Sequence, residues 1–381
     1  MRFRIVLLIC YGFTLNLHVS SLNAQSIFKK YISNLVDNKS GIAEPQLLVY
    51  PTLAYAPETT WEIGLTSLYV YFAKRDTSNR LSEINGFTFF TLENQYGLWF
   101  DHAIYTDQDR WFFLGRLRFQ SFPLYYHGIG INSPKDYTAL VDANQILIKE
   151  RALKKLKKNL FFGLELEYQS LSAVNFALRE SSIADFQYPL GYNGTDNLGL
   201  GISLVQDDRH NVLNVRDGFF SELAFIHSDP TWGSTNRFNS VFSDTRIYRP
   251  IRKNNVFAAQ LLGQLNFGEI PFNQLAQFGG EYMMRGYYYG RYRDKHQLAA
   301  QVEYRLLPIP FRFSKRIGAA AFAGTGTVFD EMTDLSLPNL KFSAGAGLRL
   351  LLFPKKDIWT RFDYAFTPEG GGFYIFIGEA F

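Results

Sequence analysis

Cysteine is almost absent from this chain of 381 residues, and the only one, Cys10, lies in an N-terminal apolar stretch. Disulfide bonds and thiol chemistry are therefore excluded from everything that follows that stretch. A long apolar run is missing as well, because no later segment supplies the roughly 18 apolar residues that a membrane helix needs. The net charge is only +4, whereas a nucleic-acid-binding protein usually shows a strong basic excess.

The residue sets that enzymes and metal sites require are also missing. A hydrolase needs a nucleophile beside a positioned base, and no Gly-x-Ser-x-Gly elbow is present. Histidines do not form the cluster that a metal would need, since after the N-terminal stretch they are scattered at His102, His127, His210, His227 and His296. The sequence therefore predicts no catalytic residues, no metal site and no cofactor.

The N-terminus has the features of a secretory signal peptide. Arg2 and Arg4 precede a mostly apolar stretch, 5–17, that is too short to span a bilayer. Ala24 supplies a small residue at the end of an acceptable cleavage site. We expect a signal peptide at 1–24, a short periplasmic segment at 25–45 and an outer-membrane barrel at 46–381. A short N-terminal anchor is the alternative.

Aromatic residues, by contrast, are abundant. Phenylalanine (36 residues) and tyrosine (23 residues) make up most of an aromatic fraction of 17%, yet the mean hydropathy is only −0.11. That combination is typical of a membrane β-barrel, in which only alternate residues face lipid. In 159–169, leucines and aromatics occupy one face and Glu165 and Glu167 the other. The same alternation places Arg361 and Asp363 on the polar face of 358–366.

These alternating segments run about ten to twelve residues, the length that crosses a bilayer at a tilt, whereas strands of soluble sandwiches usually run about five or six. The sequence thus predicts an all-β fold, a transmembrane antiparallel β-barrel of about sixteen strands. A soluble sandwich is the alternative that alternation alone leaves open. The predicted strands are 46–55, 60–73, 83–92, 95–105, 110–121, 142–152, 158–169, 196–206, 218–228, 237–249, 255–267, 296–307, 316–329, 341–352, 358–366 and 373–381.

The connections between these strands differ in length at the two ends of the predicted barrel. The longest ones, 122–141, 170–195 and 268–295, all follow odd-numbered strands, so they share one end, which we expect to be extracellular. Several turns at the opposite end are rich in lysine or arginine. We expect these side chains either to be solvated or to contact anionic outer-membrane lipid.

The segment 277–305 carries the most informative motif. Gly279-Gly280-Glu281 leads to Met284-Arg285-Gly286-Tyr287, and a strand with Glu303 follows. This order resembles the BamA/TamA superfamily of outer-membrane assembly proteins, whose barrel is also called the bacterial surface antigen domain. Members carry an Arg-Gly-aromatic motif in the sixth extracellular loop, which is where the strand count places Arg285. Further stretches that match the family are Asp207-Asp208-Arg209-His210-Asn211 with Gly218, Tyr50-Pro51 with 55–59, 126–130 with Asn132, and the final Phe381.

The resemblance implies a loop lock. In the family the sixth loop folds back into the lumen and its arginine meets acidic residues on the wall, which points to Arg285 and Glu303 as a charge pair. It also implies that Gly286 allows close backbone approach and that Tyr287 packs on the wall. Two departures are expected. Gly324 stands where the family has a second acidic partner, so that partner is expected to be missing, and Glu379 is expected to interrupt the apolar face of the last strand.

The resemblance also implies a function. We expect an integral outer-membrane barrel that assists the insertion or export of polypeptides. Since the chain leaves little room before residue 46, it resembles a barrel-only branch without periplasmic docking modules, for which a separate periplasmic chain would be a partner. Barrel assembly machinery is the expected partner during biogenesis, with Phe381 as the assembly signal. A structural surface antigen or a passive narrow pore is the alternative.

Overall fold

The computed structural model describes residues 41–56, 60–92, 94–121, 123–182, 184, 186–311 and 314–381. The predicted signal peptide, most of the segment 25–45 and residues 57–59 of the predicted barrel opening lie outside the described residues.

Nearly all of the regular secondary structure in the described chain is β-strand, as the alternation of apolar and polar residues predicts. Sixteen strands have eight to nineteen residues, and three have three residues each. The described part contains short 3₁₀ turns but no α-helix, and none of its helices is long and apolar enough to cross a membrane. The strands are β1 (Gln46–Ala56), β2 (Thr60–Phe72), β3 (Leu81–Thr91), β4 (Tyr96–Tyr105), β5 (Trp111–Ser121), β6 (Leu124–Tyr126), β7 (Ala139–Lys157), β8 (Leu160–Leu178), β9 (Thr195–Asp207), β10 (Gly218–Ser228), β11 (Phe238–Arg252), β12 (Asn255–Gly268), β13 (Ala276–Phe278), β14 (Tyr292–Asp294), β15 (His296–Leu306), β16 (Ile317–Phe329), β17 (Lys341–Phe353), β18 (Ile358–Thr367) and β19 (Gly370–Ile377).

The long strands pair antiparallel with their neighbours in the chain, from β1 with β2 to β18 with β19. The short β6 lies beside β7, and β5 also pairs with β7. The predicted fold class, an all-β antiparallel sheet of the barrel type, is confirmed, and each predicted strand corresponds to one of the long strands. The largest differences in length are at β7 and β8, which form a hairpin of nineteen residues a side and extend well beyond the predicted segments.

The two faces of the wall follow the predicted alternation. On β8, for example, Leu164 is 70% exposed on the outer face, whereas its neighbour Glu165 is 2% exposed on the inner face. Apolar side chains therefore face outward and polar ones face the lumen, which is the reverse of a soluble sandwich and typical of a membrane barrel.

The two ends of the wall differ as the sequence predicts. The long connections, including 179–194 and 269–295, lie at one end, called here the loop end. Most connections at the other end, called the turn end, are short. The segment 208–217 at the turn end is an exception, because it contacts strands that are not its neighbours in the sheet. The backbone N–H of Leu81 donates to the carbonyl of His210, and Arg216 binds Asp357 in the turn before β18.

Candidate functional site

The connection between β12 and β15, residues 269–295 and called here loop 6, folds back into the lumen. Its stem is the small hairpin of β13 and β14, which pairs Ala276 with Asp294 and Phe278 with Tyr292. Gly279 and Gly280 follow the first strand of this hairpin, and the Gly280 N–H donates to the carbonyl of Tyr287. This local pairing turns the predicted motif toward the wall, and Arg285 is only 1% exposed.

Arg285 is held by two carboxylates that lie on different strands. Its Nη2 lies 2.6 Å from Glu303 Oε2 on β15, and its Nη1 lies 2.6 Å from Asp363 Oδ2 on β18. All three side chains are fully buried. The guanidinium carbon also lies 3.4 Å from the ring centroid of Phe322 on β16, a cation–π contact. Loop 6 is thus fastened to three strands through one side chain.

The expectation that the second acidic partner is missing is wrong. Asp363 takes that role from β18, and it also lies 2.6 Å from Arg349 and 3.0 Å from Arg361. Gly324 faces the lumen as expected, but a Cβ at this position would lie 3.1 Å from the Sδ of Met284. The side chain of Met284 therefore occupies the space beside Gly324 into which an aspartate would point.

Glycine on β17 makes room for Asp363. Asp363 pairs with Gly347 across the β17–β18 ladder, and a Cβ on Gly347 would lie only 2.1 Å from Asp363 Oδ1. Without that Cβ, the carboxylate leans over β17 toward Arg285 and Arg349. The two acidic partners can therefore come from strands that are not adjacent in the sheet.

The other predicted members of the lock lie beside Arg285. Gly286 has a positive φ of 102°, and a Cβ there would lie 2.7 Å from Thr367, so both backbone conformation and space favour glycine. Its N–H donates to the hydroxyl of Tyr374 on β19 at 2.9 Å. Tyr287 is buried at 3% exposure, and its hydroxyl donates to the carbonyl of Phe342 on β17. Loop 6 thereby touches β15 to β19.

A second ion pair holds loop 6 nearer the loop end. Arg291 Nε lies 2.5 Å from Glu369, in the turn between β18 and β19, and Tyr292 donates to the same carboxylate. Burial alone would raise the pKa of the Glu369 carboxyl, but the hydrogen bonds from Arg291 and Tyr292 outweigh burial and hold that pKa below its ordinary value. Glu369 is therefore ionised at neutral pH.

The last residues of the chain also reach the lumen. The predicted strand 373–381 ends at Ile377, because the chain turns inward at Gly378, where the N–H donates to the carbonyl of Trp359. Glu379 consequently does not interrupt the outer apolar face. It lies 2.9 Å from Arg349, with its side chain 2% exposed. Phe381 is 4% exposed, and its backbone oxygen accepts from Arg305 at 2.8 Å.

The remaining family motifs do not join the lock. At the turn end, Asp207 and Arg209 form a bidentate pair in which both hydrogen bonds are 2.9 Å, and Asn211 donates to the carbonyl of Lys356. Gly218 begins β10 directly after this segment. The motif therefore ties the segment 208–217 to itself and to the turn before β18.

The third-loop motif, 126–130, lies at the loop end against loop 6. The Gly130 N–H donates to the carbonyl of Arg293 at 2.8 Å. Burial, together with the nearby charge of Arg291, lowers the pKa of His127 to about 4, so its ring is neutral at pH 7. The motif 126–130 therefore packs on loop 6 without adding charge.

Most of the buried charged residues that the sequence reasoning did not connect to Arg285 lie on lumen-facing positions of the predicted strands, whereas Glu379 had been expected on the outer apolar face. Asp363 and Arg361 were placed on the polar face of 358–366, and Arg305 lies two residues after Glu303 and therefore on the same face of β15. Arg349 alternates with the apolar face of β17. Their spacing along the chain could not show that they converge, because convergence depends on the curvature of the wall.

Three comparisons place this architecture among known proteins. The sequence matches the model of the Omp85 superfamily domain over residues 84–381. The structure of BamA from Haemophilus ducreyi lacking POTRA domains 1–3 is similar to this chain, with a TM-score of 0.53 and 14% identity over 88% of this chain and 69% of that one. CdiB from Acinetobacter baumannii is similar with a TM-score of 0.51 and 10% identity, over 87% of this chain and 59% of that one. No curated protein sequence matches the chain.

These findings carry different weight. At 10–14% identity, the likeness to solved structures shows the fold alone. The family match covers well over half of the chain, and it agrees with the resemblance seen in the motifs around Arg285. The chain belongs to the Omp85 superfamily.

Proposed function

We propose that this chain is an integral outer-membrane barrel that assists the insertion or export of polypeptides and does so without catalysis. The observation that carries the proposal is the lock itself, in which Arg285 is buried between Glu303 and Asp363. In a member of the Omp85 superfamily, such a lock supports a role in handling polypeptide clients. The solved relatives named BamA and CdiB support this class of role, and neither identifies the client.

The chemistry of the lock supports a loop that can change position. Replacing a buried ion pair with apolar residues of similar volume is often neutral or even stabilising, so a static plug has no need of buried charges. Charged partners instead specify one position closely, because a guanidinium needs its carboxylates within hydrogen-bond distance. The buried charges around Arg285 therefore favour a loop with a defined resting position over a simple filling of the lumen.

The partners follow from the location. The outer face, for example on β8, is apolar and suits outer-membrane lipid, and barrel assembly machinery would insert the chain during biogenesis. A separate periplasmic chain would deliver clients to the turn end, where 208–217 contacts the start of β3 and the turn before β18.

The decisive experiment uses the cell and the purified protein together. Deleting the gene should deplete a subset of outer-membrane or secreted proteins, measured by quantitative mass spectrometry, and the wild-type chain should restore them. Arg285→Ala should restore them poorly although it reaches the membrane. Arg237→Ala, which removes an exposed arginine at the loop end that binds Asp229 outside loop 6, is the matched control and should restore them fully.

Purified protein in lipid vesicles separates this role from a passive pore. Vesicles that carry the barrel should accelerate the folding of an eight-stranded barrel protein that has been unfolded in urea. Folding is measured by the heat-modifiable gel shift of that protein. An unchanged proteome and secretome on deletion, together with steady conductance of the wild-type protein in planar bilayers, would reject the proposal in favour of a passive pore.

A further inference from the structure

Six charged side chains form a closed ring inside the lumen, called here the charge ring. Its members, in order, are Arg285, Glu303, Arg305, Glu379, Arg349 and Asp363, which contacts Arg285 again. The nitrogen–oxygen distances between consecutive members in this order are 2.6, 2.7, 3.7, 2.9, 2.6 and 2.6 Å. Every side chain in it is at most 2% exposed. Three arginines therefore alternate with three acids around the ring.

The members of the charge ring come from three separate parts of the chain. Arg285 belongs to loop 6, whereas Glu379 belongs to the C-terminal segment 378–381. The other four stand on the wall, on β15, β17 and β18. The ring therefore joins a loop that enters from the loop end to a segment that turns into the lumen after β19.

The wall residues link these two parts by short routes. Glu303 binds Arg285 through one oxygen and Arg305 through the other, and Arg305 lies 3.7 Å from Glu379. On the other side, Asp363 binds Arg285 and Arg349, and Arg349 binds Glu379. Each of the four wall residues therefore has two neighbours in the ring, one on the side of Arg285 in loop 6 and one on the side of Glu379 in the C-terminal segment.

The sign of the coupling follows from the charges. Arg285 and Glu379 carry opposite charges in a site that is shielded from water, where Coulomb interactions are stronger than in solvent. Removing Arg285 makes the position of Glu379 less favourable, and removing Glu379 makes the position of Arg285 less favourable. The wall residues add to this effect, because each is oriented by both of its neighbours.

We propose that the charge ring holds loop 6 and the C-terminal segment in the lumen as one coupled unit, so that release of either part weakens the retention of the other. This coupling goes beyond the proposed function and does not depend on it. It makes Glu379 a positioning residue of the lock, although no contact joins it to loop 6 directly in the ring. Because β19 ends where the segment begins, the state of loop 6 is transmitted to the end of the last strand.

Single-cysteine labelling tests the coupling from the loop side. Since Cys10 is the only native cysteine, Ala380→Cys gives one reporter in the segment after removal of the predicted signal peptide, at a site that is 4% exposed. Its reaction with a membrane-impermeant maleimide is measured in outer-membrane fragments. Adding Arg285→Ala should accelerate labelling about tenfold, which corresponds to about 1.4 kcal/mol. The control is Arg118→Ala, which removes a lumenal arginine that binds Asp101 at 2.7 Å outside loop 6 and the ring, and it should leave the rate essentially unchanged.

Proteolysis tests the coupling from the other side. Glu379→Gln, which is nearly isosteric, should accelerate tryptic cleavage of loop 6 about tenfold in folded, heat-modifiable protein. The control is Glu222→Gln, another lumenal acid, which lies 2.5 Å from Arg151 outside the ring. The two effects should have the same sign, because a coupling free energy between the two parts is reciprocal. If Arg285→Ala does not fold, the Glu379→Gln arm decides alone. Unchanged rates in either folded variant, or equal effects of the control, would overturn the proposal.

Discussion

Asp363→Asn is the sharpest test of the lock, because this carboxylate serves three arginines. Its oxygens lie 2.6 Å from Arg285, 2.6 Å from Arg349 and 3.0 Å from Arg361. Asparagine keeps the shape of the side chain, but it removes the negative charge and directs an N–H₂ group at donors. Together with Arg361, the charge ring has four positive and three negative groups, and the substitution leaves four against two.

The expected cost is large for one isosteric change. Removing one partner of a buried ion pair costs about 3–5 kcal/mol, since the remaining charges are left without their counterion in a shielded site. Every 1.4 kcal/mol is a factor of about ten in an equilibrium, so the released form of loop 6 should become about a hundred- to a few thousand-fold more populated.

Trypsin reports this release directly. Arg285, Arg291 and Arg293 are all at most 4% exposed, so the chain should resist cleavage at these three sites in the native protein and be cut there when loop 6 leaves the lumen. Lys295 at the end of loop 6 has a side chain that is 44% exposed, so the fragments are identified by mass spectrometry and cleavage after Lys295 is not counted as release. The matched control is Asp101→Asn, which removes a lumenal aspartate that binds Arg118 on the opposite part of the wall at 2.7 Å. It should leave loop 6 protected.

The comparison with Glu303→Gln decides between one acidic partner and two. Asp363→Asn and Glu303→Gln should release loop 6 to a similar extent, and the Arg285→Ala, Glu303→Ala double variant should be little worse than either single change. Wild-type protection in Asp363→Asn, with release in Glu303→Gln, would show that Arg285 depends on Glu303 alone. Additive effects of the two alanine changes would refute the pair itself.

Three further expectations follow from other contacts. Gly347→Ala should loosen loop 6 in the trypsin assay, because its Cβ would displace Asp363, whereas Gly263→Ala should not, since its nearest neighbour is 3.9 Å away. Because the pKa of Glu369 is depressed, its ion pair with Arg291 stabilises loop 6 at a pH above the ordinary glutamate pKa, and this stabilisation is lost as the pH falls below about 4. Pepsin should therefore cut loop 6 more readily at such a low pH than near the ordinary glutamate pKa. Glu369→Gln should remove this dependence of cleavage on pH. Deleting Phe381, which is buried in the lumen, should lower the amount of the protein in the outer membrane, as measured by quantitative immunoblotting, and unchanged amounts would contradict its role as an assembly signal.

The wall could be predicted from the sequence because its physics is local. A lipid-facing strand needs an apolar side chain at every second position, and that period is visible without any knowledge of neighbours. The strand count then placed Arg285 in the sixth loop, and the structure has it there. The ends of β7 and β8 were less predictable, because the hairpin continues beyond the apolar band, where lipid no longer imposes alternation.

The partners of Arg285 could be predicted only in part. Glu303 follows it by eighteen residues on the next long strand, so the family pattern and the alternation both indicate it. Asp363 is separated from it by 78 residues, and its approach depends on the missing side chain at Gly347 and on the bend of the wall. Glu379 was misplaced for a similar reason, since the alternation of β19 gives no sign that the chain turns inward at Gly378.

The position of the second acid shows how such a lock can vary within one fold. The arginine comes from a loop inside the lumen, so it meets the wall from within, and any lumen-facing position within its reach can supply the carboxylate. Gly324 on β16 is blocked by Met284, while Gly347 opens a path from β18. The lock therefore requires an acidic residue whose carboxylate can contact the arginine, and a small residue beside it that leaves space for that carboxylate. The acidic residue does not have to occupy one fixed position in the sequence. Because β18 pairs with β19, a lock that uses Asp363 also lies two strands closer to the C-terminal segment than one that uses residue 324 on β16 would.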